Sequence, residues 1–119
     1  MITYRIKNWD EHFEVAQSRK CNNMSWVAIS NKHDGKGYRR LLRHGNFAEI
    51  FTAWILIVQV ASKQDKRGVL ADLDGPLTAQ DLSDCTGCPK EHFEKAFIEL
   101  VKPSIGWLEK LNGSGLVAE

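Results

Sequence analysis

The chain has 119 residues, 43% of them hydrophobic and 26% charged, and a formal charge of +1 at pH 7. That length suits one domain burying about two thirds of the surface its unfolded form exposes, and the composition excludes disordered and fibrous classes. Three cysteines behind an N-terminus, MITYRIKNWDEHF, that lacks a secretory pattern argue against a disulfide framework and predict a cytoplasmic protein.

The near-neutral total hides an uneven distribution. Between Arg19 and His44 stand Arg19, Lys20, Lys32, Lys36, Arg39, Arg40 and Arg43 against the single acid Asp34. From Asn46 onward seven basic residues face eleven acidic ones, so the positive field belongs to the first part of the chain.

In chain order, Tyr4 to Trp9 alternates weakly and predicts a strand, whereas Asp10 to Asn23 is polar and hard to assign. Trp26 to Ile29 is a second short apolar run, ending in the turn-rich segment Asn31 to Gly37. Lys32, Lys36, Arg39, Arg40 and Arg43, interleaved with Gly35, Gly37 and Tyr38, predict a flexible positive segment for phosphate contact, with Tyr38 available to stack on a base. The bland alternative is a solvated face.

Asn46 is placed to cap a helix of about sixteen residues, AEIFTAWILIVQVASK, roughly 25 Å long and apolar over most of its circumference. Glu49, Thr52 and Gln59 interrupt its apolar run, which falls short of the roughly 18 residues of a membrane span. It predicts a core helix. A short strand at Gly68 to Ala71 and an Asp74-Gly75-Pro76 turn follow.

TAQDLSDCTGCPKEHFEKAFIELV, Thr78 to Val101, reads as a helix-turn-helix. Thr78 and Asp81 have capping-box spacing for a helix from about Ala79 to Cys85, Gly87 closes it, and Pro89 suits the first position of the next helix with Cys88 as its N-cap. Setting Phe93, Ala96, Phe97 and Leu100 inward turns Glu91, Lys95, Ile98 and Lys102 outward, with Lys90, Glu94 and Glu99 on the flanks. That outer face is nearly neutral and carries no Arg, Asn or Gln for base edges, which argues against sequence-specific readout; Ile98 points toward a protein partner. Ile105 to Leu111, Asn112-Gly113-Ser114-Gly115 and Leu116 to Ala118 predict a hairpin bearing Lys110. The order is that of an α+β winged helix, with this hairpin as the wing and an N-terminal strand extension.

Cys85 and Cys88 form a C-x-x-C followed by His92, but a fourth zinc ligand is left to distant Cys21 or another histidine; the alternative is small residues filling the helix corner. A helix N-terminus would lower the Cys88 thiol pKa. His33-Asp34 sits in a glycine-rich turn without phosphate-loop spacing, so no enzyme and no cofactor is expected.

SWVAISNKHDGKGYRRLLRHGN, FTAWILIVQVASK, RGVLAD, PLTAQDLS and IGWLE together resemble phage and prophage replication-initiation or replisome-organiser proteins that carry an N-terminal winged helix. The resemblance spans about Tyr4 to Glu109. It implies a DNA-replication context, and the chain is read as one domain in all, an extension with the basic tract (1–45) before a winged-helix core (46–119). In such proteins a variable C-terminal part usually follows, so the sequence is either a short member or a domain of a longer one. The expectation is a non-catalytic DNA-binding domain that contacts single- or double-stranded DNA through Lys32, Lys36, Tyr38, Arg39, Arg40 and Arg43, aided by Lys90, Lys95 and Lys110. The alternative is a winged helix that oligomerises or docks on a replicative helicase or its loader.

Overall fold

The computed structural model describes residues 2–14 and 25–112. Their fold is α+β: β1 (Thr3–Ile6), α1 (Trp9–His12), α2 (Lys36–Leu42), α3 (Phe47–Ser62), β2 (Ala71–Asp72), β3 (Gly75–Pro76), α4 (Ala79–Thr86), α5 (Lys90–Glu99) and β4 (Leu108–Leu111). No helix among the described residues is long and apolar enough to cross a membrane.

α3 organises the core. It holds neither Gly nor Pro, and Ile50, Ala53, Trp54, Ile57, Val58 and Ala61 recur at helical spacing and are buried. Its helical neighbours α4 and α5 pack with it, and residues from before Asn46, namely Ile6, Trp9, Phe13 and Leu41, join the same apolar cluster. These four side chains tie described residues on the N-terminal side of Asn46 into the core. Asn46 occupies the N-cap of α3 without capping it; its Oδ1 instead accepts from Lys95 Nζ of α5 at 3.4 Å.

The helix-turn-helix follows its local signals. Asp81 N–H donates to Thr78 Oγ1 at 3.1 Å and Thr78 N–H donates to Asp81 Oδ2 at 2.8 Å, a complete capping box. Gly87 closes α4 in the left-handed region at φ 80°, and Thr86 Oγ1 ties back to Leu82 O. Pro89 is the N-cap of α5, so the helix starts one residue later than expected, and it ends at Glu99 with Leu100 as C-cap. Phe93, Ala96, Phe97 and Leu100 are buried as the periodicity requires, and Tyr4 stacks flat on Phe97 at 4.1 Å.

The sheet departs from expectation. β4 pairs antiparallel with β1, Thr3 opposite Leu111 and Ile6 opposite Leu108. On its other edge β1 bridges to Val69 through Arg5, with Ile6 N–H donating to Gly68 O and Leu70 N–H to Tyr4 O. The N-terminal strand therefore lies between the segment after α3 and the strand after α5. The second arm of the expected hairpin, Leu116 to Ala118, lies outside the described residues. β2 and β3 form a small hairpin around Leu73 and Asp74, and Trp26 to Ile29 is not a strand.

Trp54 sits between Phe13 and Trp107, with ring centroids 6.1 and 5.1 Å away, and is 7% exposed. Trp54→Ala should cost about 3 to 5 kcal/mol, read as a lower urea midpoint at unchanged slope. Asp81 provides a pH test. Hydrogen bonds from Thr78 hold its carboxyl pKa below the ordinary value, so it stabilises the fold above the unfolded carboxylate pKa and loses that contribution as pH falls through the folded one. Asp81→Ala should lower Tm at neutral pH and flatten the fall of Tm below about pH 4.

Candidate nucleic-acid interface

The basic tract is a helix, not the flexible segment its glycines suggested. Gly35 is the N-cap of α2 in extended backbone, and Leu41 and Tyr38, three residues apart, anchor the helix inward. Gly37 lies against the segment before β4: a Cβ there would stand 2.6 Å from Trp107 Nε1 and 3.1 Å from Ile105 O. With that face inward, Lys36, Arg39, Arg40 and Arg43 fall at i, i+3, i+4 and i+7, one exposed stripe, and Lys32 is exposed just before it. Among the described residues no carboxylate lies within 4.0 Å of any of these five cations.

Tyr38 is less available than expected. Its half-buried ring meets Phe47 and Phe51 edge-on at 5.6 and 5.7 Å, and His33 leans over it at 5.0 Å. Among the described residues the exposed aromatic is Trp26, at 71% of its surface, and no cation adjoins it in sequence.

α5 is attached to this helix at one corner. His44 Nδ1 accepts the Asn46 N–H at 3.0 Å, which leaves the neutral ring's proton on Nε2, 3.4 Å from Glu99 Oε1. Lys102 Nζ binds the same carboxylate oxygen at 2.9 Å, and Lys95 reaches Asn46. Of the three auxiliary lysines, Lys95 is thus tied to the N-cap of α3. Lys90 opens α5, and Lys110 lies in β4 opposite Tyr4. The outer face of α5 presents Glu91, Glu94 and the 62%-exposed Ile98.

Negative charge gathers elsewhere. Asp72, Asp74, Asp81 and Asp84 line a groove between the β2–β3 hairpin and α4. Cys85 at its edge is exposed, while Cys88 is half-buried. Because α5 starts after Pro89, Cys88 is not its N-cap, and burial raises its thiol pKa where a lowered one was expected. Among the described residues no three His, Cys, Asp or Glu side chains are grouped to hold a metal ion. Cys21 lies outside the described residues.

No family model, curated protein or solved structure matches this chain. Function therefore rests on the charge and shape of its surface.

The fit of α2 against Trp107 can be tested directly. Gly37→Ala should lower stability by about 1 to 3 kcal/mol through overpacking and shift the tryptophan emission, whereas Gly45→Ala, where a Cβ meets nothing within 4 Å, should leave both near native values.

Proposed function

We propose that this protein is a non-catalytic DNA-binding domain serving a replication complex of phage or prophage origin, working in the cytoplasm. In this reading it is a winged-helix variant in which β1 takes the strand position beside β4. It holds nucleic acid chiefly through phosphate contacts from α2. One observation carries the reading: Lys36, Arg39, Arg40 and Arg43 form a single exposed stripe with no carboxylate partner among the described residues. Unpaired cations repeated along one rigid face are what a polyanion selects, since each phosphate contact releases condensed counterions. The acidic groove by α4 adds polarity to the molecule and orients its approach. The outer face of α5 makes the binding sequence-tolerant, because it carries no Arg, Asn or Gln to pair with base edges.

A second reading rests on Ile98. This exposed apolar residue on the outer face of α5, flanked by Glu91 and Glu94, suits a protein contact better than a phosphate backbone. On that reading the domain oligomerises or docks on a helicase or helicase loader through α5, and the two surfaces can operate together.

Titration into labelled DNA at about 50 and 200 mM salt separates the two. With four phosphates engaged, log affinity for duplex should fall with log salt at a slope of roughly −3.6. Arg39→Ala, Arg40→Ala and Arg43→Ala together should abolish most of the binding and reduce that slope while leaving Tm within a few degrees, since all three side chains are exposed. A chain that ignores DNA at the lower salt but forms dimers lost in Ile98→Asp would replace the first reading by the second.

A further inference from the structure

A cleft of about 430 Å³ opens beside the N-terminal end of α2, where β1, α1 and the segment before α2 converge. Its volume lies within the range of small-ligand sites. Half-buried Tyr38, Phe51 and Trp107 give it an aromatic floor. Lys7, Lys32 and Lys36 stand exposed at its rim, with Glu11 as the one carboxylate among its described lining residues. Asn8 also lines it. This residue is the only described non-glycine in the left-handed region, at φ 55°, and its side chain neither caps α1 nor hydrogen-bonds elsewhere among the described residues. Asparagine is among the few side chains that adopt this region readily.

An aromatic floor, an unspent amide and a cationic rim are complementary to a nucleobase with phosphates on either side. Rings accept the π-face of any base, an amide reads donor and acceptor edges, and ammonium groups hold the backbone. A base stacked in a duplex cannot enter such a cleft without being flipped out, whereas a single strand offers its bases freely. We propose that the cleft between α1 and α2 takes one unstacked base of single-stranded DNA, with Asn8 contacting its edge and Lys7, Lys32 and Lys36 its flanking phosphates. This rests on the DNA-binding reading and adds strand preference to it: α2 tracks the backbone and the cleft selects single strands.

The test compares a short single-stranded oligodeoxynucleotide with one of equal length built from abasic sugars, which keeps every phosphate. The base-bearing strand should bind at least about fivefold more tightly. The Trp107 indole N–H resonance should move with the base-bearing strand and stay in place with the abasic one. Asn8→Gly keeps the left-handed backbone at no steric cost, so the fold is retained, and it should shrink the affinity ratio between the two strands. Equal affinities, an unmoved Trp107 resonance, or an unchanged ratio in Asn8→Gly would each overturn the cleft as a base site. If duplex and abasic strands bind as tightly as the base-bearing strand, the cleft fails while phosphate binding by α2 stands. If no DNA binds at the lower salt, both fail.

Discussion

A helix that hides Ile50, Ala53, Trp54, Ile57, Val58 and Ala61 cannot be covered by one neighbour, and this demand on α3 shapes everything around it. α4 and α5 cover it from the helical side, contributing Leu82, Phe93, Ala96 and Phe97. What they leave uncovered is closed by the N-terminal residues, Ile6, Trp9 and Phe13, and by Leu41 of α2. Helix burial thus recruits sequence from both ends of the described chain, and the β1–β4 pairing is the hydrogen-bonded consequence of bringing those ends together. The tight points confirm how little slack remains: at Gly68, φ 91°, a side chain would meet Trp9 Cβ at 2.8 Å, and at Gly37 it would meet Trp107.

The same demand produces the charged face. α2 is seven residues long, too short to be stable by propensity, so it exists because Leu41 is buried, Tyr38 half-buried, and Gly37 lets it approach Trp107. Once those residues face inward, geometry leaves Lys36, Arg39, Arg40 and Arg43 together outside. Folding therefore fixes four cations in one row. A flexible tract of equal charge would give up more entropy on binding DNA, since its ordering would have to accompany the contacts.

Legibility in the sequence followed how local each signal was. The α4–α5 corner was readable because Thr78, Asp81 and Gly87 act within their own turns, and α3 because its apolar repeat runs for sixteen residues. α2 was not readable. Two anchors in seven residues, with glycines at 35 and 37, carry no recognisable period, and the partners that hold the helix, Trp107 and Phe51, are distant in sequence. The partner of β4 was hidden for a related reason. Asn112-Gly113 favours a hairpin with the residues that follow, whereas Thr3 to Ile6 pairs with β4 from the other end of the described chain. Among the site residues, the basic stripe was visible as composition but not as a helix face. Asn8 left no sequence signal at all, because a left-handed asparagine and an unspent amide are properties of the folded backbone.

On the proposed DNA-binding reading, the surface that meets nucleic acid is not the one the motif suggests. A helix-turn-helix invites the expectation that its second helix reads the major groove. Here that helix exposes Glu91, Glu94 and Ile98, and its Lys95 and Glu99 are spent on Asn46, His44 and Lys102. Those contacts fix the α2–α3 corner to α5. The second helix therefore acts as a brace, and the face it braces carries the unpaired cations. The electrostatics of the folded chain thus point away from its most recognisable motif and toward a short helix that the core had to recruit.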